Sequence, residues 1–232
     1  MPPRPGIVFL IDVDNTLLDN DRLQSDLARH LDEEYGPPAR ERYWTILTER
    51  WSRIGYADYL GALQIYREED LHDPRLLRMS SWMVDYPFHT LLHPQALEVI
   101  AALRRRGEPV ILSDGDAVFQ PRKIERSGLW EAADGQVLVY IHKEQMLSDI
   151  EERYPADHYV VIDDKIRILT AFKSAWRERV TTILPRQGHY AVDPSLLASC
   201  PPPDLSVDHI ADLLAPDCPL FAIPPFSERS FP

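Results

Sequence analysis

The chain has 232 residues, of which 25 are Lys or Arg and 37 are Asp or Glu, so its formal net charge is −12. This acidic balance argues against a protein that binds nucleic acid through a basic surface. A hydrophobic share of 44% with 27% charged residues is typical of a soluble globular protein that can bury a sizeable core.

The sequence carries no apolar stretch long enough to predict a membrane span. The apolar run at residues 7–11 is short, and the segment before it lacks the apolar stretch of a signal peptide. Cys200 and Cys218 are the only cysteines and lie close to the C-terminus, which argues against a disulfide framework or a cysteine-based metal site. We therefore expect a cytoplasmic protein with no membrane partner.

Short apolar runs alternate with helical patterns along most of the chain. This alternation predicts an α/β fold with a doubly wound, Rossmann-like parallel sheet. The strand candidates are rich in Val and Ile, as strands buried on both faces should be, and they lie at residues 7–11, 109–112, 137–141, 159–162 and 181–184. Helices are predicted at residues 94–106, 117–127, 144–154 and 165–179.

Residues 20–88 interrupt this rhythm and predict a helical cap inserted into the core. Leu23, Leu27 and Leu31 are spaced four apart, and Asn20 is a good N-cap for the first helix. The α/β core would then comprise residues 1–19 and 89–199. The tail, residues 200–232, contains eight prolines and predicts no regular structure beyond a short helix around 207–214.

Two acid pairs directly follow predicted strands. Asp12 and Asp14 end the first strand, and Asp163 and Asp164 end the fourth. Because the carboxyl ends of parallel strands form the ligand-binding edge of an open α/β sheet, we expect these pairs to face one crevice. Such carboxylates can hold Mg²⁺, and one can attack phosphorus while the other transfers protons.

The other two strand ends supply a hydroxyl group and a cation. Ser113 and Asp114 end the second predicted strand, where turn N–H groups favour an anion, and Lys143 lies just past the third. Lys123, in the helix after Ser113, and Lys165 are alternatives to Lys143 as the phosphate-binding lysine.

Taken in order, these motifs resemble those of the haloacid dehalogenase-like (HAD) hydrolase superfamily. The resemblance covers about residues 7–190, and the inserted helices look like the helical C1-type cap of its phosphatase members. The matching segments are Ile11-Asp12-Val13-Asp14-Asn15-Thr16-Leu17, Leu112-Ser113-Asp114-Gly115, Lys143, and Val161-Ile162-Asp163-Asp164.

The resemblance implies a phosphatase mechanism on these residues. Asp12 would be the nucleophile that forms an aspartyl-phosphate, and Asp14 would be the general acid and base. Mg²⁺ would be held by Asp12, the backbone carbonyl of Asp14 and Asp163. Ser113, Asp114 and Lys143 would bind the phosphate.

Many members of the superfamily carry a further acid four residues after the first acid of the fourth motif. That position is Arg167 here, so the role would fall to Asp164, as in the family's double-aspartate variant. Asp116 has no assigned role, since it could line the site or cap a helix. Gly188-His189-Tyr190 could approach the site but is more typical of a surface turn.

The cap contains aromatic and Arg residues that either form ordinary core and surface or recognise an organic phosphate. We do not assign substrate residues among them, since aromatic stripes at helical spacing are more often core. The residues concerned are Tyr43, Trp44, Trp51, Tyr56, Tyr59, Tyr66, Arg42, Arg50 and Arg53.

The leading hypothesis is a Mg²⁺-dependent phosphomonoester hydrolase for a small phosphorylated molecule. The alternatives are a hydrolytic dehalogenase, a phosphoglucomutase-like phosphotransferase, and an inactive protein that binds a phosphorylated ligand. Asp14 argues against dehalogenation, because a halide leaves without protonation and the family's dehalogenases lack that second acid. The sequence leaves the substrate and the oligomeric state open.

Overall fold

The computed structural model of the protein describes residues 6–69 and 71–222, without the side chains of 221 and 222. Its centre is one parallel six-stranded sheet in the order β3-β2-β1-β4-β5-β6, so the predicted α/β class is confirmed. The five predicted strands are present and differ only at their ends. The strands are β1 (Ile7–Ile11), β2 (Glu108–Asp114), β3 (Val137–Tyr140), β4 (His158–Ile162), β5 (Val180–Pro185) and β6 (Leu205–Val207).

β1 lies in the middle of the sheet and is buried along its whole length. Its side chains alternate between two apolar clusters, with Phe9 and Ile11 on one face and Val8 and Leu10 on the other. A strand covered on both faces needs a continuous apolar run, which is what this segment supplies.

A helical insertion separates β1 from β2, as predicted. It contains α1 (Asn20–Tyr35), α2 (Pro37–Ile54), α3 (Tyr59–Glu69), α4 (Arg75–Asp85) and a 3₁₀ turn (Phe88–Leu91). The side chain of Asp19, rather than that of Asn20, accepts the N-cap hydrogen bond, from the N–H of Arg22. Asn20 is instead the first residue of α1. It is buried, and its N–H donates to the side chain of Asn15.

The remaining helices cover the two faces of the sheet. Val99, Ile100 and Leu103 of α5 pack in one apolar cluster, and Phe172 and Trp176 of α9 pack in the other. The helices after the insertion are α5 (Ala96–Arg104), α6 (Phe119–Ser127), α7 (Leu129–Ala132), α8 (Leu147–Arg153), α9 (Ile166–Trp176), α10 (Gly188–Val192) and α11 (Pro194–Ala198).

The tail is more regular than its proline content predicts. β6 pairs with β5, and a 3₁₀ helix (Ile210–Leu214) buries Ile210 and Leu213 in the main core. The anchor is Asp204, whose carboxylate accepts hydrogen bonds from Lys173 and from both the N–H and the hydroxyl of Thr182. These bonds join distant parts of the chain, so local proline content does not reveal them. Residues 223–232 of the predicted tail lie outside the described residues.

Within residues 6–69 and 71–222, no helix combines the length and the apolar character needed to cross a membrane. Cys200 is partly exposed and Cys218 is buried, and both are free thiols. The division into core 1–19 plus 89–199, cap 20–88 and tail 200–232 remains a proposal.

Leu10→Ala tests how much stability the central strand supplies. The side chain is fully buried, so we expect the free energy of unfolding to fall by about 2–5 kcal/mol in denaturant titrations. Leu77→Ala, in α4, is the matched control, because Leu77 is 65% exposed and its loss should change stability by no more than about 0.5 kcal/mol. Equal effects of the two substitutions would contradict this assignment of the core.

Candidate active site

Three carboxylates meet at the carboxyl edge of the sheet. Asp12 follows β1, while Asp163 and Asp164 follow the neighbouring β4. Each offers a carboxylate oxygen, these oxygens lie within 4.8 Å of one another, and all three residues are buried. Parallel pairing of β1 with β4 brings these distant acids together. We call Asp12, Asp163 and Asp164 the acid cluster.

Lys143 inserts its ammonium group into the acid cluster. This residue opens the 3₁₀ turn after β3 and is only 1% exposed. Its Nζ lies 2.7 Å from Oδ2 of Asp163, donates to Oδ1 of Asp12, and lies 3.3 Å from the carbonyl oxygen of Leu112. The carboxylate of Asp114 supports the turn by accepting the N–H of Lys143 at 2.8 Å.

Burial dominates the electrostatics of the acid cluster. It raises the pKa of Asp12 to about 6, with Lys143 opposing the rise and Asp163 adding to it. Burial also raises the pKa of Asp164 well above its usual range, although Lys165 opposes the shift. For Lys143, burial alone would lower the pKa, but the charges of Asp12 and Asp163 outweigh it and the net direction is upward. The cluster therefore favours additional positive charge.

The donor set of the acid cluster fits a divalent cation that prefers oxygen ligands. Oδ2 of Asp12 and both carboxylate oxygens of Asp164 are buried and have no hydrogen-bond partner among the described residues. Buried carboxylate oxygens are normally paired with donors or bound to a metal, and Mg²⁺ prefers such hard ligands. Asp164, the acid considered in place of Arg167, thus lies beside Asp12 and Asp163.

The carboxylate of Asp14 contacts a different set of residues. Nζ of Lys123 lies 2.7 Å from its Oδ1, and Nε2 of Gln120 lies 3.4 Å from its Oδ2. Lys123 is buried and also donates to the side chain of Asn20 at 3.1 Å. The structure therefore gives the two lysines different partners. Lys123 contacts Asp14, whereas Lys143 contacts the acid cluster.

Ser113 is buried at the end of β2, and its hydroxyl accepts a hydrogen bond of 2.8 Å from Nε2 of Gln120. Gln120, which the sequence analysis did not single out, thus joins Ser113 to Asp14. Asp116 accepts the N–H groups of Val118 and Phe119 at 2.8 and 2.7 Å. It also lines a cavity between the inserted helices and the core. Of its two predicted alternatives, Asp116 thus lines the cavity, and it stabilises the turn before α6 without being the N-cap residue, which is Val118.

Asn15 organises the loop after β1. It has a positive φ of 60°, which Asn tolerates better than most residues, and its side chain accepts N–H groups of Asn20 and Asp21. Asp21 in turn accepts both the N–H and Nδ1 of His189, at 2.9 and 2.6 Å. A Cβ on Gly188, whose φ is 71°, would lie 2.4 Å from the Asn15 side chain, so α10 approaches this loop closely. His189 is therefore not in an isolated surface turn.

A cavity of about 390 Å³ lies between the inserted helices and the core. Asp14 and Asp114 contribute to its core side, and Trp44 and Trp51 of α2 contribute to its cap side. Its remaining lining includes Tyr56, Tyr59, Asp116, Gln120, Lys165, Arg167, His189 and Tyr190. A concave site of this size, with convergent polar groups beside buried titratable residues, is typical of a small-molecule site.

The structural comparisons place the chain among proteins of known fold. A candidate haloacid dehalogenase-like hydrolase from Burkholderia xenovorans LB400 is 56% identical and superposes with a TM-score of 0.87, over 93% of this chain and 100% of that one. YfnB of Bacillus subtilis, a candidate HAD hydrolase with bound magnesium, is 16% identical with a TM-score of 0.60, over 91% and 97% of the two chains. The L-2-haloacid dehalogenase of Xanthobacter autotrophicus is 18% identical with a TM-score of 0.57, also over 91% and 97%.

The last two similarities are at identities that show a shared fold alone. No protein-family model and no curated protein matches the chain. The identity and coverage of the Burkholderia structure are high enough to show the family. The chain belongs to the haloacid dehalogenase-like hydrolase superfamily and has the helical cap insertion after β1.

Replacing Lys143 with Met tests how strongly the acid cluster depends on its ammonium partner. Removal of one partner of a buried ion pair leaves uncompensated charge, so we expect the free energy of unfolding to fall by about 3–5 kcal/mol in metal-free buffer. Lys173→Met is the control, because Lys173 and its partner Asp204 are 39% and 36% exposed. That change should cost about 0–1 kcal/mol. A loss below about 1 kcal/mol for Lys143→Met would contradict this account of the cluster.

Proposed function

We propose that the protein is a Mg²⁺-dependent phosphomonoester hydrolase that transfers a phosphoryl group to Asp12 and then to water. The observation that carries this proposal is the buried acid cluster beside a cavity that also exposes a second carboxylate, Asp14. Oδ1 of Asp12 is held by Lys143, whereas its Oδ2 has no partner among the described residues.

In the first step, a carboxylate oxygen of Asp12 attacks phosphorus and the ester P–O bond breaks. Asp14 donates a proton to the leaving alcohol oxygen. In the second step, Asp14 accepts a proton from water, whose oxygen attacks phosphorus and releases inorganic phosphate and the Asp12 carboxylate. Asp14 suits both steps, because it lies at the cavity and is held there by Lys123 and Gln120. General acid and base catalysis of this kind commonly contributes about 10²–10⁴-fold.

Asp12, the backbone carbonyl of Asp14, Asp163 and Asp164 are the groups that would hold Mg²⁺. Bound Mg²⁺ supplies the positive charge that offsets repulsion between the Asp12 carboxylate and an anionic phosphoryl group. Ser113, Asp114 and Lys143 surround the same edge of the sheet. We propose that Ser113 and Lys143 bind phosphoryl oxygens, with Asp114 holding the Lys143 turn in place.

A dehalogenase would use the same nucleophile, but it would have no need of Asp14, because a halide leaves without a proton. An inactive binding protein would need neither Asp12 nor Asp14 in this arrangement. The position of Asp14 in the cavity lining therefore supports cleavage of an ester with a leaving group that must be protonated.

Asp12→Asn tests the proposed nucleophile. We expect the wild type to release phosphate from a panel of small phosphomonoesters only when Mg²⁺ is present, and the variant to release none, because an amide oxygen is a poor nucleophile. The measurement is inorganic phosphate release under steady-state conditions. Asp157→Asn is the matched control, since Asp157 is exposed and precedes β4 at the opposite edge of the sheet.

Phosphate release by folded Asp12→Asn at the wild-type rate would overturn the proposed mechanism. Chloride release from 2-chloropropionate, without phosphate release from any ester, would favour the dehalogenase. Binding of phosphorylated compounds without turnover would favour the inactive binding protein. Transfer of the phosphoryl group to a second sugar phosphate, with little release to water, would favour the phosphotransferase.

The raised pKa of Asp12 predicts a pH-dependent affinity for Mg²⁺. A carboxylate must lose its proton to bind a metal, and the pKa of Asp12 is raised to about 6 by burial. Affinity should therefore weaken as the pH falls through 6, with Kd at least about tenfold higher at pH 5 than at pH 7, since Asp164, whose pKa burial also raises, must lose its proton as well. Calorimetric titration with MgCl₂ measures this change. Asp163→Asn should weaken binding at both pH values, and a Kd unaffected by pH would contradict the prediction.

A further inference from the structure

The cap side of the cavity is formed by aromatic rings. Trp44, Leu47, Thr48 and Trp51 of α2 all line it. Their spacing places them on one face of the helix, since residues three, four and seven apart lie side by side. Tyr56, just after α2, extends the same wall.

The rings of this wall are held in place by the cap itself. Nε1 of Trp51 donates to the carbonyl oxygen of Gly55 at 3.2 Å, although 45% of the residue is exposed. The ring of Trp44 packs against that of Tyr43 with centroids 5.5 Å apart. A large aromatic surface facing a cavity rather than the core indicates a surface that contacts a ligand.

Several other aromatic and basic residues of the cap are engaged elsewhere. Tyr43 is buried and donates its hydroxyl to the carbonyl oxygen of Tyr59 at 2.9 Å. Arg42 pairs with Glu69, and Arg50 pairs with Asp58. Among the aromatic and basic cap residues singled out from the sequence, those that line the cavity are therefore aromatic, namely Trp44, Trp51, Tyr56 and Tyr59.

Basic side chains also line the cavity. Lys165, Arg167 and His189 contribute positive or potentially positive groups to its lining. Arg167 pairs with Glu144 at 3.1 Å, whereas within the described ranges no carboxylate lies at ion-pair distance from the ammonium of Lys165. That ammonium lies 5.3 Å from the ring centroid of Tyr190, and although burial alone would lower its pKa, the charges of Asp164, Asp12 and Asp163 turn the net shift upward.

The acidic lining residues are already engaged. Asp14 pairs with Lys123, and Asp114 and Asp116 accept backbone N–H groups. Among the basic residues of the lining, Arg167 and His189 have carboxylate partners, so the Lys165 ammonium is the cation that suits the phosphoryl end of a substrate.

We propose that the site selects phosphomonoesters whose leaving group carries a planar aromatic ring, bound against Trp44, Trp51 and Tyr56. That the ligand is a phosphate ester rests on the proposed function, whereas recognition of its ring does not. A planar ring gains contact with the aromatic wall beyond its area burial alone. A polyhydroxylated leaving group would lose hydrogen bonds to water wherever it turned a hydroxyl group, rather than a C–H face, toward these rings.

The test compares binding of two phosphonates that differ mainly in ring planarity. Benzylphosphonate and cyclohexylmethylphosphonate have six-membered rings on the same linker and are not hydrolysed. We expect the Mg²⁺-loaded protein to bind benzylphosphonate about tenfold more tightly in calorimetry. Trp51→Leu should remove most of that preference without abolishing binding of methylphosphonate. Trp130→Leu is the control, because Trp130 is 41% exposed and lies in α7, outside the cavity lining.

Equal affinities of the two ring compounds for the wild type would overturn the inference. Tighter binding of phosphocholine than of benzylphosphonate would also overturn it, in favour of a cationic group bound by the rings. Benzyl phosphate turnover separates this inference from the proposed function. Ring-selective binding without phosphate release would contradict the hydrolase and support the ring site. Release of phosphate from benzyl and cyclohexylmethyl phosphate at equal kcat/KM would support the hydrolase and contradict the ring site.

Discussion

The carboxyl edge of the sheet holds three buried carboxylates around the Lys143 ammonium, and this concentration of negative charge constrains the rest of the structure. Each buried charge loses hydration, which pairing must offset. Oxygens of Asp12 and Asp164 lack that compensation within the described protein. The cluster is held together by the parallel pairing of β1 with β4, two buried apolar strands that end at these acids. A bound divalent cation would offset this excess of negative charge.

The segments that join the core and the helical insertion are tied directly to this edge. The N–H of Asp19 donates to the carbonyl oxygen of Leu91 at 2.8 Å, and the N–H of His93 donates to that of Leu17 at 2.9 Å. Asn15, inside the loop that follows Asp12, binds the first residues of α1 through its side chain. The loop between β1 and α1 carries Asp12 and Asp14 and also leads into the cap. The position of the cap and the position of Asp14 are therefore mechanically linked.

Much of the fold and of the acid cluster could be predicted from sequence because the relevant signals are local. β1 is an uninterrupted apolar run, and acids at strand ends must share an edge once the strands are parallel. The contacts of Lys123 could not be predicted in this way, since its partner Asp14 is 109 residues away in sequence. The same applies to β6, which depends on contacts between Asp204 and Thr182 rather than on the composition of the tail.

The aromatic residues of α2 show a further limit of sequence patterns. Tyr43 and Ile46 are buried in the core, whereas Trp44 and Trp51, on an adjacent stripe of the same helix, face the cavity. Both stripes have helical spacing and apolar character, so periodicity alone does not distinguish a core stripe from one that lines a cavity. The helices that pack against α2 decide which stripe remains open. Since the acid cluster lies on strand ends and the rings lie on α2, substitutions in α2 can alter the wall of the cavity while the acid cluster and its supporting strands stay intact.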